Sequence, residues 1–140
     1  MTLTIAQTRD IALCRRLRRV VFIDEQGVSE ADELDELDDA AIHLLACEDG
    51  QAVGSARLLV QGSLGKIGRV CVLRPARGRG VGAALIRHAV ATFRAQAGIT
   101  RVKLGAQTHA LWFYEALGFQ PVGDVYDDAG IPHRDMYIDL

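Results

Sequence analysis

The residues whose types and spacing most directly imply chemistry run from Arg69 to Ala84, R-V-C-V-L-R-P-A-R-G-R-G-V-G-A-A. An apolar strand pattern passes Pro75, crosses Arg77-Gly78-Arg79-Gly80-Val81-Gly82 and opens into a helical pattern. Unpaired N–H groups converge at such a helix N-terminus, the helix dipole favours negative charge, and glycine lets a phosphate approach the backbone. An ATP-type loop would need G-x-x-x-x-G-K-[ST], and no Lys-Ser or Lys-Thr follows these glycines. Gly78, Gly80 and Ala83 fit the dinucleotide fingerprint G-x-G-x-x-A, but no Asp or Glu occurs from Arg77 through Tyr114 to hold a ribose. The spacing left is R-x-x-G-x-G, formed by Arg77, Gly80 and Gly82 after a Val-x-Val strand.

The elements that must position this loop follow from periodicity. Thr2 to Ala6 alternates as a short edge strand. Thr8 reads as the N-cap of a helix burying Ile11, Cys14, Leu17 and Val21, with arginines 9, 15, 16, 18 and 19 on a solvated face. Polarity and Gly27 end that helix. Ser29 to Asp39 reads as a second, short helix capped by Ser29, anchored by Leu34 and Leu37, its acids mostly a solvated face. Strands are predicted at 41–47, 52–60 and about 66–73, the first two joined by a tight turn with the Asp49-Gly50 signal. The helix after the loop carries Val81, Leu85 and Ala89 on one stripe and Ile86, Val90 and Phe93 on the next, and Gly98 closes it. Arg101 to Ala106 is a strand expected parallel to the one before the loop. Thr108 caps a short helix holding Leu111, Trp112, Tyr114 and Leu117, and strands at 119–125 and 133–140 end the chain.

At 140 residues, 49% apolar and 24% charged, the composition is that of one ordinary globular domain spanning residues 1–140. A net charge of -2 argues against a general nucleic-acid binder. Charge is segregated, however: residues 24–39 carry nine of the 18 acidic residues and no Lys or Arg. An acidic pole beside a basic body suits an anion site with a rim that attracts cations. Cys14, Cys47 and Cys71 form neither a C-x-x-C pair nor an even set, which favours a reduced, cytoplasmic setting without zinc. No signal peptide or membrane-length apolar run is present, so no membrane association is expected.

The R-x-x-G-x-G arrangement resembles the acetyl-CoA loop of the GNAT N-acetyltransferases, and the order of elements matches along essentially the whole chain. Gln107-x-x-Ala110-x-x-x-Tyr114-x-x-x-Gly118-Phe119 resembles a second motif of that superfamily, with Gln107 where asparagine is more usual. Val21 to Gln26, the Asp-rich stretch before His43-Leu44, A-Q-x-H and Gly130 to His133 resemble the ElaA-like branch. The resemblance implies an α/β (α+β) fold: a mixed, mostly antiparallel sheet of about six to seven strands flanked by about four helices. It implies acetyl-CoA as co-substrate and direct acyl transfer to an amine, without a metal.

Such transfer requires an anchored CoA, a polarised thioester, a placed amine, a proton acceptor for the amine and a proton donor for the thiolate. By the resemblance, the amides of Gly78, Arg79, Gly80, Val81 and Gly82 cradle pyrophosphate, with charge from Arg77 and Arg79. The backbone of Val70, Cys71 and Val72 holds pantetheine and polarises the thioester, which needs a strand edge opened by splaying or a bulge. Pro75 stands two residues before Arg77 where relatives commonly have three, so the turn differs in detail. Gln107 occupies a cofactor-contacting position. Tyr114 is the expected general acid, because a phenol is protonated at neutral pH and can donate to a thiolate of pKa about 8.5. Some relatives carry a glutamate on the fifth strand, where Val102 stands here. Glu25, His133 and a water relay are the alternatives for the base, histidine being competent near neutral pH. His43 is expected to be structural and Cys71 a buried thiol. The acidic segment motivates a cationic acceptor, either a small-molecule amine or a lysine-type amine. A non-catalytic acyl-CoA sensor or interaction module is the alternative, and the sequence leaves a homodimer open.

Overall fold

The computed structural model describes residues 2–140. Seven strands form one sheet in the order β1-β2-β3-β4-β5-β7-β6. They are β1 (Leu3–Thr8), β2 (Ile42–Glu48), β3 (Gln51–Gln61), β4 (Leu64–Val72), β5 (Arg101–Gln107), β6 (Gln120–Asp128) and β7 (Ile131–Asp139). All neighbours are antiparallel except β4 and β5, which run parallel as the crossover predicts. Asp49 and Gly50 turn the β2–β3 hairpin with φ of 50° and 84°, the pair of positive values a two-residue turn needs.

Helices α1 (Ile11–Arg18), α2 (Glu30–Glu33), α3 (Val81–Arg94) and α4 (Leu111–Ala116) flank the sheet. The two stripes of α3 supply Val81, Leu85, Ile86, Ala89 and Phe93 to the main core, against Leu44, Leu58, Ile67, Val102 and Met136 of the sheet. Contact is closest at Gly65, where an added Cβ would lie 2.7 Å from the Phe93 ring. Leu17 and Val21 pack with Cys71 in a smaller cluster.

The loop strand β4 contains one extra residue. Between Arg57↔Gly68 and Ser55↔Cys71, β3 advances two residues and β4 three, and Arg69 takes φ of 51°. An inserted residue exchanges the faces of everything after it. Gly65 and Ile67 therefore meet α3, whereas past the bulge it is Val70 and Val72 that join the α3 core and Cys71 that joins α1.

Local capping differs from expectation in two places. Asp10, not Thr8, caps α1, accepting from the Leu13 N–H at 3.1 Å, and Thr8 remains in β1. Thr108 opens a 3-10 turn, and α4 begins after Ala110 with no side-chain cap, because the chain leaves β5 directly into that turn. The first helix ends where polarity and Gly27 were expected to break it, but its last part, Arg19–Glu25, is π-helical. Ser29 does cap α2, but α2 is one turn long, and Leu34 and Leu37 lie exposed rather than anchoring it.

Salt bridges anchor that segment instead. Arg18, predicted on the solvated face, is 1% exposed, and Glu33 and Asp38 are 4% and 2% exposed. Arg18 donates to Glu33 at 2.6 Å and to both oxygens of Asp38, at 2.9 and 3.1 Å. Arg15 also donates to Asp38, Arg57 to Asp35 and Asp38, and Arg69 to Asp35 and the Glu33 carbonyl. His43 closes the cluster as a structural histidine, its Nε2 2.8 Å from the Asp38 carbonyl. These acids were expected to be mostly solvated because sequence spacing does not reveal arginines contributed by α1, β3 and β4.

Burial alone would raise the Asp38 pKa, but the hydrogen bonds from Arg18 and Arg15 prevail and hold it well below the usual carboxylate range. With its folded value depressed, Asp38 contributes stability above the unfolded pKa of about 4, and that stability fades as pH falls through the folded value. Asp38→Asn should cost about 3–5 kcal/mol at pH 7 by stranding Arg18. Urea midpoints should show this deficit shrinking as pH falls from 7 to 3.

Candidate active site

The site forms where β4 and β5 part. Their pairing spans Leu64–Ile67 and Arg101–Leu104 only. Beyond it β4 stays with β3, while β5 follows β7 as far as Gln107↔His133. The Leu73 N–H donates to Val53 on the β3 side at 2.8 Å, so by alternation Val70 and Val72 turn their N–H and C=O groups into the gap. An edge opened by splaying and by a bulge is what the sequence reading required of this strand.

Two cavities meet at the gap. One, of about 820 Å³, is lined by Val70–Val72, Arg77, Gly78, Gly80–Ala83 and the α4 aromatics. The other, of about 530 Å³, lies over β4, β5 and β7 beneath α2. Gln26, Val70, Gln107, Ala110, Tyr114 and Ile131 border both.

In the first cavity, Gly80 is the N-cap of α3 in the left-handed region, φ 83°, and the first helical bond runs from the Ala84 N–H to its carbonyl. The amides of Val81, Gly82 and Ala83 precede that bond and face no intrahelical acceptor. Gly78 is left-handed too, φ 79°, and open space surrounds the Cβ position at both glycines. At Gly82 a Cβ would touch Phe113 at 3.5 Å and Val72 at 3.9 Å, ordinary contacts. The donor set therefore fits a pyrophosphate: consecutive amides, little side-chain bulk and a nearby guanidinium.

That guanidinium belongs to Arg77. It donates from Nε to Val72 O at 3.0 Å and from both terminal nitrogens to Glu25, at 2.6 and 2.7 Å. The bidentate pair ties the end of the π-helical segment to the loop, and Arg77 holds the Glu25 carboxyl below its ordinary pKa. Arg79 lies outside both cavities, its guanidinium 3.0 Å from Pro75 O and 3.2 Å from Glu48.

Tyr114 stands at the junction, edge-on to Phe113 and Phe119 with ring centroids 5.0 and 6.1 Å away. Burial pushes its pKa up to about 12. Trp112 lies in the same short helix, as expected, and is 72% exposed. Gln107 donates to Gln26 Oε1 at 3.1 Å, and its own Oε1 lies 2.7 Å from His109 Nε2. Cys71 is buried, 3.4 Å from Ser55 Oγ, and burial raises its pKa, as fits an inert thiol.

On the second cavity, His133 sits opposite Gln107 in the β5–β7 ladder and stacks on Tyr126. A carbonyl can only accept, so the 2.7 Å contact with Ile131 O puts the proton on Nδ1 and leaves Nε2 available. Val102 is fully buried against α3, so a carboxylate at that position would not face this cavity. Sequence reasoning missed Tyr126 and Asp135. Tyr126 reaches Asp135 at 2.7 Å only because Gly105 lies beneath it, where a Cβ would come within 2.5 Å of the hydroxyl. Lone residues on two strands gave no motif by which to find them. Among the described residues, no cluster of His, Cys, Asp and Glu could hold a metal, and no helix is long and apolar enough to cross a membrane.

Comparison with known proteins matches residues 21–140 to the family model described as an acetyltransferase (GNAT) domain. The Bacillus subtilis protein YyaT is 38% identical over 127 residues, 89% of this chain and 85% of YyaT. The crystal structure of Escherichia coli ElaA is similar with a TM-score of 0.85 at 30% identity, covering 97% of this chain and 99% of ElaA. An acyl-CoA N-acyltransferase from Pseudomonas aeruginosa has a TM-score of 0.84 at 33% identity, covering 97% of each chain.

Gly82→Asp should fold with a melting temperature close to the parent's and bind CoA at least about a hundredfold more weakly, because a carboxylate would stand among the amides. Gly82→Ala, whose Cβ has room, should retain binding; isothermal titration with CoA checks both.

Proposed function

The chain belongs to the GNAT acetyltransferase family, and from that premise we propose that it transfers an acetyl group from acetyl-CoA to a primary amine by direct attack on the thioester. The observation that carries the reading is Tyr114 standing where the loop cavity and the second cavity meet, beside the unpaired edge of β4. A GNAT acetyltransferase from Elizabethkingia anophelis, crystallised with acetyl-CoA bound, shares the fold with a TM-score of 0.78 at 15% identity.

The reading assigns the following roles. The amides of Gly78 to Gly82 hold pyrophosphate, and the Arg77 guanidinium, kept in place by Glu25, adds positive charge beside it. Val70 and Val72 offer backbone groups to pantetheine and an N–H to the thioester oxygen, where negative charge develops during attack. The amine nitrogen forms its bond to the carbonyl carbon as the carbon–sulfur bond breaks. The departing sulfur takes the hydroxyl proton of Tyr114, which solvent then restores. The proton lost by the amine goes to His133 Nε2, directly or through water. His133 is favoured over Glu25 because Glu25 is tied to Arg77 by two hydrogen bonds. The acceptor occupies the second cavity and is a small-molecule amine or a lysine-type amine.

With its pKa pushed up to about 12, Tyr114 remains a proton donor through the alkaline range. Its ionisation should therefore add no falling limb to the kcat profile up to about pH 10. Tyr114→Phe should lower kcat by about 10²–10⁴ while leaving CoA affinity close to the parent's. Thiol release across an amine panel measures the first and calorimetry the second. Unchanged turnover in Tyr114→Phe would remove it from the mechanism.

A further inference from the structure

The second cavity has a basic floor. Lys66 and Lys103 are partners in the β4–β5 ladder and both line it, with Arg69 and Arg57 further along the same wall. Like charges on neighbouring strands repel unless something answers them. Lys103 is answered by Asp135 at 3.1 Å. Lys66 has no hydrogen bond or ion pair among the described residues, although Asp135 feels its charge.

The acids of the 24–39 segment do not supply the missing partner. Glu33, Asp35 and Asp38 are already engaged by Arg15, Arg18, Arg57 and Arg69. The cavity is lined by four cations, Arg57, Lys66, Arg69 and Lys103, and by four carboxylates, of which Glu33 and Asp135 are engaged by Arg18 and Lys103. The Nε–H groups of Arg57 and Arg69 are buried without an acceptor, and Arg57 is only 5% exposed. Arg69 is the under-compensated member: burial and the neighbouring Arg57 lower its pKa despite Asp35 and Glu33. The other two carboxylates, Asp32 and Asp128, line the cavity from exposed positions, where water and salt screen them.

Resting on the acyltransfer reading, we propose that the acceptor is an ω-amino carboxylate, its carboxylate seated on Lys66 beside Lys103 and Arg69 and its amine at the Val70–Tyr114 junction. Four steps along β4, one of them through the Arg69 bulge, lead from Lys66 to Val70, at most about 13 Å at the rise of an extended strand. The flexible stem of Lys66 covers part of that span, and a chain about as long as 5-aminopentanoate bridges the remainder. The acidic segment thus builds the wall of the pocket and does not itself choose the acceptor.

Three probes of equal length separate the alternatives: 5-aminopentanoate, 1,5-diaminopentane and pentylamine, each titrated calorimetrically into the CoA-bound protein and assayed for thiol release with acetyl-CoA. Wild type should prefer the amino carboxylate over pentylamine by about tenfold or more in affinity. Lys66→Met should reduce that preference to below about threefold, and Lys66→Glu should turn it towards the diamine. Lys66 makes no bond on which folding depends, and thermal melting checks that both variants fold. Equal or tighter binding of pentylamine or the diamine by wild type would overturn the proposal, as would an unchanged preference in folded Lys66→Met. Tyr114→Phe should keep the binding preference while losing turnover. Binding without turnover in wild type would overturn the acyltransfer reading and leave the carboxylate site standing.

Discussion

The bulge at Arg69 is the constraint on which the rest of the structure depends. A non-glycine residue at φ of 51° costs on the order of 1–3 kcal/mol and persists only where its surroundings over-determine it. Here the Arg69 guanidinium is held by the Glu33 carbonyl and Asp35. Three consequences follow from the one extra residue. Strand β4 turns away from β5, Val70 and Val72 move into the α3 core, and Cys71 is sealed under α1. Without it, the loop glycines would stand at the end of a closed ladder with no free edge beside them.

The salt-bridge cluster gives the bulge its support, and its energetics explain its composition. Burying Arg18 beside Glu33 and Asp38 is tolerable because each carboxylate oxygen of Asp38 receives at least one charged donor. Such a cluster contributes less to stability than an apolar replacement of equal volume could, but it fixes geometry. It binds α1, the segment after α2, β3 and β4 in one arrangement. The wall of the second cavity is therefore made by the same groups that hold the strand open beside the first.

Division of labour between backbone and side chains follows the chemistry on each side. The loop cavity presents amides and a strand edge, which suit a ligand whose phosphates and pantetheine are the same in every reaction. The second cavity presents Lys66, Lys103, Asp135, Tyr126 and His133, side chains of the kind the proposed acceptor selection would use. Tyr114 borders both cavities, the position that the proposed proton transfer between donor and acceptor would require.

Much of this was legible in the sequence. Gly80 and Gly82 after a Val-x-Val strand, Tyr114 seven residues beyond Gln107, the Asp49-Gly50 turn and the two stripes of α3 are local patterns, and local patterns are written in consecutive residues. The parallel β4–β5 pair followed from handedness, and His43 and Cys71 were identified as structural by the strands that carry them. What the sequence could not show depends on residues far apart in the chain. Arg18 looked solvated because its partners lie 15 and 20 residues away. Leu34 and Leu37 looked like anchors because periodicity does not distinguish an apolar anchor from an ionic one. Gly105 carries no sign that it makes room for Tyr126, and Lys66 none that Lys103 will stand beside it. The sequence by itself determined the order of elements and the local motifs, the glycine loop that opens α3 and the position of Tyr114 in the short helix after β5. Only the tertiary structure decided which charges are neutralised, since that depends on which side chains the sheet brings within hydrogen-bond reach.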